Sequence, residues 1–116
     1  QRLAHARFDH EPVLDARVVS NASAVKMAYA AWTKGTAALL LAIRELARSE
    51  GVEEALLAEW DLSQPELGEW HERAARSAAA KGWRWVGEME EIAASFEADG
   101  LPGGFHRAAA EVYRGR

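Results

Sequence analysis

Residues 22–43 contain no acidic side chain and no proline, and most positions are Ala, Leu, Val, Met, Tyr or Trp. Ser20, Asn21 and Ser23 just before or within this stretch are good helix N-caps. The pattern predicts a long helix that opens there, runs to about Ser49 or Glu50 and stops at Gly51, a residue suited to the left-handed turn after a helix. Its second half is expected to turn Arg44 and Glu45 outward. A short helix is predicted over residues 53–59. Ser63-Gln64-Pro65-Glu66 then combines a cap, a proline in the first turn and a glutamate three residues after the serine, which predicts a helix to about Lys81, ended by Gly82. Another is predicted over 83–98, with Trp83, Val86, Met89 or Glu90, Ala93 and Ala94 on one face. The glycine-rich segment 99–104 reads as a loop. A last helix over 105–113 is expected to bury Phe105, Ala108, Ala109 and Val112.

The front of the chain has a different pattern. Residues 2–8 read as the end of a helix, broken by Asp9-His10-Glu11-Pro12. Val13 to Val19 alternates as a strand does, yet one strand has nothing in this chain to pair with. It therefore reads as an edge of a sheet whose remainder lies elsewhere. The expected fold class is all-α, a helical bundle with one long N-terminal helix and this helix-and-strand remnant ahead of it.

Composition narrows the function classes. The chain of 116 residues suffices for one domain with a modest core. Its net charge is −4 with no basic cluster, which argues against nucleic acid or an anionic membrane surface as a partner. No apolar run reaches the ~20 residues that span a bilayer. Without cysteine there is no disulfide, thiol nucleophile or cysteine-based zinc site, which fits a reducing, cytoplasmic setting. The first residue, Gln1, suggests a piece of something longer.

The candidate chemistry sits on the long helix. Lys26, Ala30 and Lys34 fall at i, i+4 and i+8 on one stripe, with Tyr29 and Thr33 beside it. A surface helix pairs such lysines with Glu or Asp one turn away, and here no such partner exists. The bland reading is two lysines snorkelling from a buried helix. The functional one is a partly buried lysine acting as general acid or base on a carbonyl or hydroxyl, with Lys34 holding a carboxylate or phosphate. His106, following the glycine-rich loop, is a candidate ligand contact, whereas His71 reads as surface. Gly68 and Gly103 stand three residues before these histidines, where a di-iron bundle needs Glu, and no histidine pair has the spacing of a helical zinc site. No metal site is expected. The five tryptophans read as packing residues, and Trp83 and Trp85 cannot share a helix face, so one of them should meet another domain or subunit. The carboxylates of Glu88-Met89-Glu90-Glu91 read as a solvated face. No G-x-G-x-x-G follows a strand.

Three blocks carry a resemblance. Residues 23–35, with Lys26-Met27-Ala28-Tyr29-Ala30 and Trp32-Thr33-Lys34-Gly35, are one. Trp83-Arg84-Trp85-Val86-Gly87-Glu88-Met89-Glu90-Glu91-Ile92 and Gly104-Phe105-His106-Arg107-Ala108-Ala109 are the others. Together they resemble the helical C-terminal domain of the β-hydroxyacid dehydrogenase superfamily, which includes 6-phosphogluconate dehydrogenase, and within it the C-terminal domains of phosphogluconate-dehydrogenase-like proteins. The resemblance implies residues 1–19 as the tail of a Rossmann domain and 20–116 as the helical C-terminal domain. It implies NAD or NADP bound mainly by the domain that this chain lacks, a small anionic hydroxy acid or sugar acid as substrate, and a homodimer. It makes Lys26 the catalytic residue and places Tyr29, Thr33, Lys34 and His106 around the substrate. Ala30 departs from the family's Asn at that place, and Glu90-Glu91-Ile92 departs from its Lys-Asp-Leu. The rival expectation is a helical module that dimerises or senses an anion without chemistry.

Overall fold

The computed structural model describes the backbone of residues 16–115 and the side chains of residues 21–115. Four helices follow one another: α1 (Ala16–Ser49), α2 (Glu53–Ser63), α3 (Leu67–Ala98) and α4 (Gly104–Arg114). The described chain is an all-α bundle, elongated to 57 × 28 × 28 Å because α1 and α3 are both long rods.

Helix ends obey the glycines where the backbone turns left-handed. Gly51 has φ 75°, and the amides of Gly51 and Val52 bond back to the carbonyls of Arg48 and Ala47. Gly100 repeats the device at the end of α3, with φ 77° and bonds from Gly100 and Leu101 to Glu97 and Phe96. Both are Schellman turns, which satisfy carbonyls that a helix end leaves open.

Other expected boundaries fail for identifiable reasons. Ala16 to Val19 are the first residues of α1, not a strand, and Ser20, Asn21 and Ser23 lie inside the helix rather than capping it. The expected helix over residues 2–8 and the start of the expected strand lie outside the described residues. Gly82 does not end a helix: α3 passes through it, and Gly82 is buried with no left-handed φ. A mid-helix glycine costs only about 1 kcal/mol, which the packing on both sides of it outweighs. Ser63 belongs to α2 and donates its hydroxyl to the Glu59 carbonyl, so it caps nothing in α3.

The core lies between α1, α3 and α4. Leu41, Met89, Ile92 and Tyr113 are its fully buried large side chains. Ala30, Ala38, Ala74, Ala78, Ala109 and Ala110 fill the contacts around them, and such small residues let the rods approach closely. Tyr113 fastens α4: its hydroxyl donates to the Lys34 carbonyl and its ring meets Trp85 edge-on at 5.1 Å. Outside this core, Trp60 closes α2 onto the bundle. No helix among the described residues is long and apolar enough to cross a membrane.

Two faces differ from the sequence expectation. Phe105, Ala108, Trp83 and Ala94 are exposed, while His106, Ala110, Tyr113 and Ile92 point inward. The inward set keeps helical spacing but is rotated by about one residue, and the amphipathic pattern of Ala-rich helices is too flat to fix that rotation. Arg44 is buried rather than outward, and His71 is buried rather than on the surface.

Candidate functional site

The stripe of Lys26, Ala30 and Lys34 exists, but it runs from solvent into the bundle. Lys26 is exposed, with no ion pair or hydrogen bond among the described residues, while Met27 and Ala30 on the same stretch of α1 turn to the core. Tyr29 beside it is 70% exposed, and Thr33 donates its hydroxyl to the Tyr29 carbonyl at 3.2 Å. Ala30 is buried. Lys34, one turn further on, faces α3.

Lys34 corrects the expectation of an unpaired cation. Its Nζ lies 2.7 Å from Glu88 Oε1 and 5.3 Å from the centre of the Trp85 ring. The partner comes from 54 residues away, where no spacing rule within one helix can find it. Glu88 is half-buried against Lys34, whereas Glu90 and Glu91 keep the exposed positions expected of them, Glu90 accepting from Arg114 at the end of α4. The charge of Lys34 is met inside the protein, so a bound anion there must compete with Glu88.

His106 stands apart from the exposed lysine, as a clasp between helices. Its Nε2 lies 3.0 Å from the Ala31 carbonyl, which can only accept, so Nε2 carries a proton and donates it there. That Nδ1 is buried without a partner among the described residues. The ring stacks on Phe96 at 5.2 Å and leans on Gly35, where a Cβ would come within 2.8 Å of Nε2. Gly35 is therefore required by closeness. Gly35→Ala is expected to lower unfolding free energy by about 1–3 kcal/mol, although alanine gains about 1 kcal/mol of helix propensity. A shift of the urea midpoint to higher concentration would show that the histidine yields freely.

Around His106 opens an apolar groove of about 520 Å³ between α1 and α4. Trp32 and Leu39 line it from α1, and Phe105, Ala108 and Val112 from α4. The groove was not foreseen, because the expectation buried Phe105 and Ala108. The signal available was Trp32 and Leu39, bulky and seven residues apart on one helix.

Two charge clusters tie the helices together. At the junction of α1, α2 and α3, Arg44 bonds Glu53 through Nε and Nη2, and its Nη1 lies 3.0 Å from His71 Nδ1. Arg44 and Arg48 donating to Glu53 hold its carboxyl below the usual glutamate range. At the turn into α4, Arg107 grips Glu97 through two bonds of 2.9 and 2.7 Å. That grip lowers the Glu97 carboxyl and raises the Arg107 guanidinium. No group of three or more metal-ligating side chains occurs among the described residues.

The family described as a domain of unknown function, DUF1932, matches residues 47–115. The chain belongs to that family. The DUF1932 match covers α2, α3 and α4 with the end of α1, and so includes His106, the Arg107–Glu97 grip and Glu88. It does not extend to Lys26, Tyr29, Thr33 or Lys34. No curated protein and no solved structure matches the chain.

Proposed function

We propose that this DUF1932 chain is the helical C-terminal part of an NAD(P)-dependent oxidoreductase of the 6-phosphogluconate dehydrogenase-like kind, acting on a small anionic hydroxy acid or sugar acid, with Lys26 as its proton-transferring residue. DUF1932 domains occur in the C-terminal region of such proteins, which supports the reading at the level of the family. The observation that carries it is Lys26 itself, an exposed cation without an ion pair among the described residues, on the side of α1 that faces away from the core.

The described residues do not fit a dinucleotide: they hold no strand and no glycine-rich strand–helix turn to receive a pyrophosphate. The cofactor would therefore belong to another domain. What this chain supplies is a primary amine on a rigid helix. At Nζ it would accept the substrate hydroxyl proton in oxidation and return it in reduction, while its ammonium form attracts a carboxylate or phosphate. A lysine works as a base only when desolvated, so the exposed Lys26 needs the covering domain for chemistry. Tyr29 and Thr33 stand on the same side. Lys34 joins the site only where substrate displaces Glu88. His106, buried against Gly35, shapes the α1–α4 contact and reaches substrate only if that contact opens.

The test is Lys26→Met in the protein that carries this chain together with its dinucleotide-binding domain. Turnover of NAD(P) against a panel of 2- and 3-hydroxy acids and sugar acids should fall by ~10²–10⁴-fold with helicity unchanged. Retained turnover would sink the assignment. A second reading, a helical dimerisation or anion-sensing module without chemistry, is favoured by the bare apolar face of α1 and predicts no turnover in the parent protein either.

A further inference from the structure

The groove beside His106 has a polar end that the described residues leave unsatisfied. α4 starts there on Gly103 without a side-chain cap, and its first turn holds no acidic residue. No acceptor among the described residues meets the backbone N–H groups of Gly104, Phe105 and His106. Glu97 comes close to Gly103, but its carboxylate is taken by two bonds from Arg107 and reaches none of these N–H groups. His106 Nδ1 stands on the same turn, in a side chain only 8% exposed, also without a partner among the described residues. An atom left dry and unpaired in this way costs about 1–3 kcal/mol, which a polar group from a ligand would offset.

The rest of the groove is apolar. Trp32 and Leu39 wall it from α1, and Phe105, Ala108 and Val112 from α4, with no Asp, Glu, Lys or Arg in the lining. The hydroxyl of Thr36 already faces the Trp32 and Thr33 carbonyls. A volume of about 520 Å³ falls within the roughly 300–1,000 Å³ of small-molecule sites. An apolar body suits such walls. An anionic head suits an open helix start, where aligned peptide dipoles leave partial positive charge. A bare phosphate has no body for these walls, and a hydrocarbon leaves the N–H groups unmet. The groove is also remote from Lys26. Gly35, which carries the His106 ring, lies nine residues beyond Lys26, about two and a half turns, and so faces the opposite side of α1.

We propose that the α1–α4 groove binds a small amphipathic carboxylic acid of aryl or medium-length alkyl type. Its carboxylate sits at the start of α4, on the N–H groups of Gly104, Phe105 and His106 and on His106 Nδ1. Its body lies between Trp32, Leu39 and Val112. Nε2 keeps its bond to the Ala31 carbonyl, so Nδ1 must carry a proton too in order to donate. The resulting imidazolium balances the charge of the ligand in a charge-assisted hydrogen bond. The site holds whether or not Lys26 carries chemistry.

Isothermal titration and amide-resolved NMR on the full chain at neutral pH test it, with 3-phenylpropionate as the probe. It should bind one-to-one with a sub-millimolar Kd and shift the amide signals of Gly104, Phe105 and His106. The corresponding alcohol, 3-phenylpropan-1-ol, keeps the body without the charge and should bind about tenfold more weakly. Acetate keeps the head without the body and should not saturate at millimolar concentration. Ala108→Leu fills the groove from an exposed position on α4, and should abolish binding with the helical circular dichroism unchanged. His106→Gln keeps a donor for the Ala31 carbonyl but has no Nδ1. It should weaken the acid about tenfold and leave the alcohol unchanged. The proposal is overturned by any of four results: no saturable binding of 3-phenylpropionate, an alcohol that binds as tightly, binding that survives Ala108→Leu, or equal losses of acid and alcohol in His106→Gln.

Discussion

Arg44→Ala should destabilise the fold by roughly 3 kcal/mol or more, a large share of the about 5–15 kcal/mol that a domain of this size has. Arg44 is only 9% exposed, and its stem passes through the junction of α1, α2 and α3. Truncation removes that packing. It also removes the donor facing buried His71 Nδ1, which must accept because a guanidinium can only donate. Arg44→Met separates the two causes, since it restores the apolar stem but not the donor. It should cost about 1–3 kcal/mol, less than alanine. Urea unfolding followed by tryptophan fluorescence measures both, with Trp60 on α2 reporting near the junction. If both variants unfold within 0.5 kcal/mol of the parent (a figure on the order of an ordinary surface substitution), Arg44 does not hold α2 and α3 to α1.

What the sequence made legible was local, and what it hid was tertiary. Gly51 and the loop before α4 were readable because a left-handed turn needs glycine whatever surrounds it. The long first helix was readable from its uninterrupted Ala- and Leu-rich run. Gly82 misled because the same residue that stops one helix at a surface can pass through the middle of another when both flanks are packed. The site was affected in the same way. Lys26 was visible as a cation without a neighbour on its own helix, and it stays so among the described residues. Lys34 looked identical in sequence, yet Glu88 reaches it from α3 across the fold. Arg44 and His71 were assigned to water for the same reason, since each finds its partner on a different helix. In a chain so rich in alanine, the inward face of a helix is set by which few large side chains interlock, and no periodicity fixes that in advance.

Tyr113→Ala is the counterpart at the other end of the bundle, with an expected loss of about 3–5 kcal/mol. Tyr113 is 1% exposed and is the largest fully buried side chain of the core. α4 has only eleven residues, too few to be stable as an isolated helix, so its order depends on what it docks against. Tyr113 provides that docking through its edge contact with Trp85 and through its hydroxyl on the Lys34 carbonyl. Tyr113→Phe keeps the ring and gives up only the hydroxyl, so it should cost about 1 kcal/mol. The alanine variant leaves a ring-sized void in the core beside Trp85 and releases the C-terminal end of α4, with the Arg107–Glu97 grip still holding its start. The two consequences separate by measurement. Hydrogen exchange should rise first in residues 108–114 and only later in α3. The apolar groove should also lose its α4 wall, a change that Tyr113→Phe should not cause. If α4 stays protected in the alanine variant, the helix is held by Ala109, Ala110 and His106 instead, and the core is less dependent on its largest side chain than its burial implies.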